Sequence, residues 1–204
     1  MCKQHSTVLT EKEYSQSFSY MKRRAFLKHL TIPSRISRMR DLTFFILMSE
    51  SALRVSEACD LEASDVRLDE PAPYIVVRNG KGGKRRKVGV TEFLADALRE
   101  WQDIRPDAKP YLCTADGTRT QRTHINRVLK RAADKLMLGS RLHPHGLRAT
   151  CATRMLRAGV SLIDIQAQMG HSTLQTTSVY LQSVGDEHVV NISQSMEAIN
   201  EMRD

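Results

Sequence analysis

Apolar residues recur at helical spacing along most of the chain, and this pattern predicts a mainly helical protein. A capping box over residues 10–13 opens a first predicted helix that runs to about Leu30, where a proline-containing break follows. A second helix begins at Ser34 or Ser37 and contains the apolar run 42–48, which belongs in the core. The amino-terminal part of the chain is therefore expected to be a helical pair.

Six further helices are predicted from residue 91 onward. Thr91 caps an amphipathic helix that ends before Pro106, and a long helix begins near Thr120. The apolar faces of these two helices comprise Phe93, Leu94, Leu98 and Trp101 in the first and Ile125, Val128, Leu129 and Leu136 in the second. The remaining four helices are expected at residues 144–158, at 161–169, from about 172 through Tyr180, and at 186–202.

Residues 65–90, between these two helical regions, have the sequence pattern of a small β-sheet. Strands are predicted at 65–68, 74–78 and 84–90, with the Asn-Gly-Lys-Gly-Gly segment 79–83 as a hairpin turn. The turn is not a nucleotide-binding phosphate loop, because its Gly-Lys pair is followed by arginine instead of serine or threonine. The predicted fold class is α+β, mainly α, with a three-stranded antiparallel sheet.

Charge is distributed unevenly along the chain. The 204 residues carry a net charge of +8, and the isoelectric point is about 9.5. Residues from 184 onward carry −4, so residues 1–183 hold +12. A polyanion is the expected partner of the basic body, whereas the amphipathic tail 184–204 is better suited to a protein contact.

Features of membrane and secreted proteins are missing from the sequence. No stretch approaches the roughly 20 apolar residues of a membrane span, and the first residues do not form a signal peptide. The cysteines Cys2, Cys59, Cys113 and Cys151 have neither paired nor metal-binding spacing. We expect a soluble cytoplasmic protein with reduced thiols and no membrane contact.

Three polar motifs lie close together near the carboxyl end. His145 and Arg148 are three residues apart at the start of a predicted helix, which places both on one face, within reach of a single anion. His171 follows the helix-terminating Gly170, and Tyr180 lies nine residues further on. A phenol without a neighbouring carboxylate pair is a suitable nucleophile towards phosphate.

Other interpretations of these motifs remain open. Residues 161–181 are also compatible with a helix-turn-helix, and a zinc site formed by His143, His145 and His171 is a minor alternative. Arg54, which lies between Leu53 and Val55, would by itself be interpreted as the salt-bridge partner of a buried carboxylate.

Together the motifs resemble those of the tyrosine recombinases, the phage integrase family. The resemblance rests on the H-x-L-R box at 145–148, the G-H-S box at 170–172, Tyr180, and the Ala-Leu-Arg-Val-Ser-Glu segment 52–57. Ala52 stands where the family usually has glycine. The resemblance covers residues 8–200 and implies a helical catalytic domain at 1–183, with a tail helix at 184–204 that docks onto a neighbouring protomer.

The resemblance also implies a mechanism. Tyr180 would attack a DNA phosphate to give a 3′-phosphotyrosyl link, Arg54 and Arg148 would stabilise the developing charge, and His171 would donate a hydrogen bond to it. Lys81, in the hairpin turn, would protonate the leaving 5′-oxygen, while His145 would help to remove the phenolic proton. No metal or other cofactor is required.

Seven further basic residues are predicted to contact the DNA backbone. One-sided basic charge favours contacts with backbone phosphates, which position DNA without determining its sequence. These residues are Lys84, Arg85, Arg86, Arg122, Arg127, Lys130 and Arg131. Lys84 is also an alternative to Lys81 as the hairpin lysine.

The implied function is site-specific recombination of the integrase, invertase or resolvase type. The partners implied are double-stranded DNA, further copies of this chain in a homo-tetramer on that DNA, and accessory DNA-bending proteins. The protein is therefore expected to be associated with the nucleoid. The alternatives are a catalytically idle DNA-binding regulator and an enzyme resembling a type IB topoisomerase. The chain is expected to be a short family member or a catalytic fragment, because the amino-terminal DNA-clamping domain of most members has no counterpart here.

Overall fold

The structure, a computed structural model, describes residues 8–78 and 85–171. Seven α-helices and a small sheet make up this part of the chain. The helices are α1 (Glu11–Ala25), α2 (Ile32–Ser51), α3 (Val55–Asp60), α4 (Glu92–Gln102), α5 (Arg122–Leu136), α6 (Pro144–Arg157) and α7 (Leu162–Met169). The strands are β1 (Val66–Arg67), β2 (Tyr74–Val77) and β3 (Arg86–Gly89). The predicted α+β fold, mainly α, is confirmed.

The three strands form an antiparallel sheet in the order β1-β2-β3. Ile75 of β2 is paired with Val66 on one side and with Val88 on the other, and all three are buried. The outer strand β3 lies next to α7 and thereby joins the sheet to the carboxyl-terminal helices.

The helical core is centred on α2, which packs against α1, α4 and α6. Its run of apolar residues over 42–48 is buried, as predicted. Trp101 of α4 is fully buried, and its indole N–H donates to the carbonyl of Tyr111 at 2.9 Å. A second, smaller cluster under α6 and α7 is formed by Ala52, Ala149, Cys151, Ala152, Leu156, Ile165 and Met169.

Local capping signals placed several helix ends correctly. Thr10 and Glu13 form the predicted capping box at the start of α1, and Thr91 caps α4. Ser161 caps α7, whose other end is the left-handed Gly170. These ends were predictable because each cap is made within a few residues of sequence.

Three details differ from the sequence-based predictions. Helix α1 ends at Ala25 instead of Leu30, and α2 already begins at Ile32. The proline after Ile32 does not break this helix, because the first turn has no hydrogen-bonded N–H to lose. Phe93 is 48% exposed instead of lying on the buried face of α4, and it makes an edge contact with the ring of Phe18.

Several predictions fall outside the described residues. They concern the predicted hairpin turn with Lys81 and Lys84, the predicted helix with Tyr180, and the tail 184–204. In the part of the chain that is described, no helix is long and apolar enough to cross a membrane.

Candidate active site

Arg54 is held at the amino end of α3 by a carboxylate on the same helix. Its backbone N–H donates to Glu57 Oε2 at 2.8 Å, and its guanidinium Nη1 donates to Glu57 Oε1 at 2.8 Å. The guanidinium also donates to the carbonyl of Gly170 at 3.1 Å. The side chain remains 28% exposed, so one edge of it faces the surface while the rest is fixed.

Arg148 lies on the second turn of α6 and is almost fully buried. Its Nη2 donates to the carbonyl of Met169 at 2.8 Å, and Nη1 donates to the carbonyl of Ala52. Ala52 ends α2 with a φ of 54°, the left-handed region that favours glycine. Ala52, which the resemblance places where the family usually has glycine, therefore carries backbone strain, and its carbonyl contacts one of the predicted catalytic arginines.

The cations of this region share one buried carboxylate, Glu57. Besides Arg54, it accepts two hydrogen bonds from Arg86, at 2.9 and 2.8 Å, and one of its oxygens is 4.0 Å from Arg148. Burial alone would raise the pKa of Glu57, but the hydrogen bonds from Arg86 and Arg54 outweigh it and lower the pKa to about 2. The carboxylate is therefore ionised at neutral pH and partly offsets the charge of three guanidiniums.

The role of Glu57 was missed by the sequence analysis, although the residue was quoted as part of the motif. The available signal was its position three residues after Arg54, which is the spacing of a capping box. The salt bridge that was the alternative interpretation of Arg54 is present, and it coexists with the exposed edge of the guanidinium.

His171 is presented by the turn that ends α7. Its backbone N–H donates to the carbonyl of Gln166 at 3.1 Å, and the Gln166 side chain donates back to the carbonyl of His171 at 3.1 Å. Burial and then the positive charges of Arg148 and Arg54 lower the pKa of His171 to about 4. The imidazole is neutral at pH 7 and carries one N–H for donation.

His145 lies on the first turn of α6 and is exposed. Burial of part of the ring, followed by the charges of His143 and Arg148, lowers its pKa. The rings of His143 and His145 are 6.1 Å apart. A neutral imidazole at this position is able to accept a proton.

A single cavity of about 320 Å³ brings together four of the six predicted catalytic residues. Its lining comprises Arg54, His145, Arg148, His171, Met48, Val55, Ser56 and Pro144. These residues come from α2, α3, α6 and the turn after α7. Lys81 and Tyr180, the other two predicted catalytic residues, lie outside the described residues.

The zinc interpretation gains no support from this geometry. Within residues 8–78 and 85–171, no group of three or more histidine, cysteine, aspartate or glutamate side chains is arranged to hold a metal ion. The lining instead supplies positive charge and hydrogen-bond donors, a combination suited to an anion such as a phosphate diester.

Six of the seven predicted DNA-contacting residues lie in the described part of the chain, and they divide into two groups. Arg85 and the four predicted residues on α5, which are Arg122, Arg127, Lys130 and Arg131, are exposed. Arg86 has a different setting from the one predicted, because its side chain is only 13% exposed and is paired with Glu57. The sequence could not predict this pairing, because Glu57 lies 29 residues earlier in the chain.

Comparison with known proteins agrees with this geometry. Residues 7–186 match the model of the phage integrase family. The tyrosine recombinase XerA of Thermococcus kodakarensis is 37% identical over 170 residues, which are 81% of this chain and 58% of the relative. The tyrosine recombinase XerC of Corynebacterium glutamicum is 35% identical over 146 residues, 70% of this chain and 46% of the relative.

Solved structures show the same fold. A crystal structure of XerA recombinase superposes with a TM-score of 0.72 at 28% identity, covering 89% of this chain and 64% of that one. A XerH site-specific recombinase bound to its DNA superposes with a TM-score of 0.74 at 21% identity, covering 92% and 53%, which supports the fold alone.

The structure thus shows a mainly helical domain in which two arginines and two histidines line one cavity. With the match over residues 7–186, the chain belongs to the phage integrase family, the tyrosine recombinases. It spans about half the length of the curated relatives that it matches.

Proposed function

We propose that this chain is the catalytic part of a site-specific DNA recombinase that cuts and rejoins DNA through a 3′-phosphotyrosyl intermediate. The observation that carries the proposal is the convergence of Arg54, His145, Arg148 and His171 on one cavity. The family and the curated relatives, which are named tyrosine recombinases, support the same chemistry.

The two arginines are suited to stabilising charge on a phosphate. Arg54 and Arg148 are fixed by carbonyl oxygens and by Glu57 before any substrate binds, so they need not reorganise as charge develops on the non-bridging oxygens. Charge-assisted hydrogen bonds from guanidinium to phosphate are among the stronger ones in proteins. Neutral His171 adds a further donor without adding more positive charge to an already cationic cavity.

The proposed reaction consists of two reversible transfers. The phenolic oxygen of Tyr180 attacks the phosphorus, the bond to the 5′-oxygen breaks, and Lys81 supplies the proton that this oxygen takes up. His145 accepts the phenolic proton, since its lowered pKa leaves the imidazole neutral at pH 7, with an unprotonated ring nitrogen. A 5′-hydroxyl then attacks the phosphotyrosine and gives its proton back to Lys81, while the phenolic oxygen leaves and takes its proton back from His145. The energy of the phosphodiester bond is conserved, so no nucleotide cofactor is needed.

DNA would lie against the exposed basic residues. Arg122, Arg127, Lys130 and Arg131 all lie on α5, and each is exposed. Such residues contact backbone phosphates and set the position of the duplex without determining its sequence. We assign Arg85 and Lys84 to the same role and Arg86 to the support of Glu57.

Exchange between two DNA sites requires more than one protomer. We propose a homo-tetramer on DNA, with the acidic tail 184–204 docking onto a neighbouring protomer and with accessory DNA-bending proteins assisting assembly. Removal of the residues after Val184 should lower assembly of the complex while leaving binding of a single duplex unchanged. Unchanged assembly by the truncated protein would contradict this role for the tail.

A two-site plasmid assay in EDTA distinguishes the proposed function from its alternatives. The plasmid carries two copies of the DNA that flanks the gene, and the products are separated after treatment with SDS and protease. A recombinase yields recombinant circles, an enzyme of the topoisomerase type yields only relaxed circles, and an idle regulator yields neither. Recombinant circles that disappear with Arg148→Ala would support the proposal, and relaxed circles alone would contradict it.

A further inference from the structure

Gln168, which no motif includes, connects the turn after α7 to the sheet. Its side-chain Oε1 accepts the backbone N–H of Gly89 at 3.0 Å, and its Nε2 donates to the carbonyl of Gly89 at 3.0 Å. Nε2 also lies 3.5 Å from the carbonyl of Ser51 at the end of α2. One side-chain amide thus pairs with the outer strand β3 in the way that a neighbouring strand would.

The backbone of the same segment is attached to the same strand. The carbonyl of Gln168 accepts a hydrogen bond from Arg86 Nε at 3.2 Å. A Cβ atom placed on Gly170 would lie only 2.8 Å from Arg86 Cζ, so the turn and the guanidinium are in direct contact. Arg86 is in turn bound to Glu57. The last turn of α7 is therefore fixed to β3 through both a side chain and the main chain.

The two carbonyls that follow Gln168 are those that hold the catalytic arginines. The carbonyl of Met169 accepts from Arg148 at 2.8 Å and lies 3.4 Å from Arg54 Nη1, and the carbonyl of Gly170 accepts from Arg54. A displacement of this segment would carry both guanidiniums with it. Placement errors of about 1 Å at such groups are costly to a reaction that depends on prearranged charge.

We propose that Gln168 is a positioning residue for the phosphate-binding cavity. By pairing with Gly89 it sets the place of the Met169 and Gly170 carbonyls, and these carbonyls aim Arg54 and Arg148 at the bound phosphate. The inference rests on the proposed function, because it assigns to the cavity a phosphate as its occupant. It extends that function to a residue that does not touch the substrate.

The variant that tests this role is Gln168→Met, with Gln102→Met as the matched control. Methionine has nearly the length of glutamine but forms neither of the two hydrogen bonds to Gly89. Gln102 lies at the exposed end of α4, so the same substitution there leaves the cavity unchanged. The probe is inorganic phosphate, titrated at pH 7 while the guanidinium N–H signals of Arg54 and Arg148 are followed by NMR.

The expected result is phosphate binding about tenfold weaker in Gln168→Met than in the wild type, which corresponds to the loss of one or two hydrogen bonds that hold the segment. Gln102→Met should bind as the wild type does. Equal binding by both variants would overturn the positioning role. Arginine signals that do not respond to phosphate in the wild type would instead contradict the phosphate cavity of the proposed function, so the two failures are distinguishable.

A measurement on the wild type alone makes the test independent of how well the variant folds. Gly89 lies on the outer strand of the sheet, where an N–H without a partner exchanges rapidly with solvent. Because Gln168 accepts this N–H, we expect Gly89 to be protected from hydrogen exchange to a similar extent as the paired residues of β3. Rapid exchange at Gly89 in the folded wild type would overturn the proposal.

Discussion

Among single residues, Glu57 connects the two arginines that line the cavity with Arg86 of β3. Three guanidiniums approach this one carboxylate, and two of them bind it directly. Removing one partner of a buried ion pair is costly because the other charge is left without compensation. A substitution of Glu57 should therefore lower the stability of the domain and also disturb the arginines proposed to bind the phosphate.

Glu57→Gln should lower the free energy of unfolding at pH 7 by roughly 3 kcal/mol, the value of a pKa shift from 4.5 to about 2. A carboxylate with a lowered pKa contributes its stability above the unfolded pKa, and the contribution is lost as pH falls through the folded pKa. Urea unfolding of both proteins should thus show a difference that is full above pH 5 and disappears towards pH 2. A difference that persists at pH 2 would contradict this account, and Glu100→Gln, at an exposed position on α4, serves as the control.

His171 should remain neutral through the physiological range. Its pKa of about 4, compared with the ordinary value of 6.5, means that protonation is opposed by burial and by the neighbouring arginines. An NMR titration of the folded protein should place the His171 midpoint near pH 4. Arg54→Gln removes one of the opposing charges and should raise that midpoint, and a midpoint near 6.5 in the wild type would be inconsistent with the neutral donor proposed here.

At the scale of elements, the turn after α7 depends on glycine for two separate reasons. Gly170 has a φ of 65°, and a Cβ atom there would lie within 3 Å of the Arg86 guanidinium. Gly159, at the end of α6, has a φ of 80°, but a Cβ atom there would have no neighbouring atom within 4 Å. An alanine at Gly159 would thus meet backbone strain alone, whereas an alanine at Gly170 would meet both backbone strain and crowding by Arg86.

Gly159→Ala should lower the free energy of unfolding by about 1 kcal/mol, the usual cost of a left-handed alanine. Gly170→Ala should cost at least about 1 kcal/mol more, because Arg86 has to move away from Glu57 to make room. Gly170→Ala should also slow DNA cleavage, since strain at residue 170 and loss of the Arg86 contact both disturb the carbonyls that hold Arg54 and Arg148. Equal losses of stability in the two variants, measured by urea unfolding, would count against the contact with Arg86.

The elements also show which parts of the structure sequence patterns could predict. The starts of α1, α4 and α7 were predicted because their caps are formed by residues three positions apart. The end of α1 was not, because apolar residues continue through Phe26 and Leu27, which are both about half exposed. Likewise, the pairing of Arg86 with Glu57 and of Gln168 with Gly89 depends on strands and helices that meet only in the folded chain.

At the scale of the whole molecule, the basic charge should determine how strongly DNA binding depends on salt. Each lysine or arginine that neutralises a phosphate releases counterions, so the affinity falls as a power of the salt concentration. The charge pattern of the sequence predicted a polyanionic partner, and the structure adds that the basic residues of α5 are exposed. Substituting one of these residues therefore shows how much it contributes to the slope of log affinity against log salt.

Arg127→Gln should weaken binding to a short DNA duplex about equally for different sequences and reduce the slope of log affinity against log salt by about 1. Arg99→Gln is the control, because Arg99 lies on α4 and is already paired with Glu92 and Asp96. Fluorescence anisotropy over a range of salt concentrations measures both slopes. Identical slopes for Arg127→Gln and the wild type would show that Arg127 does not contact DNA.

If the phosphate held in the cavity is the one that Tyr180 attacks, the covalent bond formed during DNA cleavage identifies the nucleophile. The protein and its Tyr180→Phe variant are mixed in EDTA with nicked DNA that contains the sequences flanking the gene, quenched with SDS, and analysed by mass spectrometry after protease and nuclease digestion. We predict a nucleotide joined through its 3′-phosphate to the peptide that contains Tyr180, and no adduct with the variant. An adduct on another residue, or on a 5′-phosphate, would contradict the account.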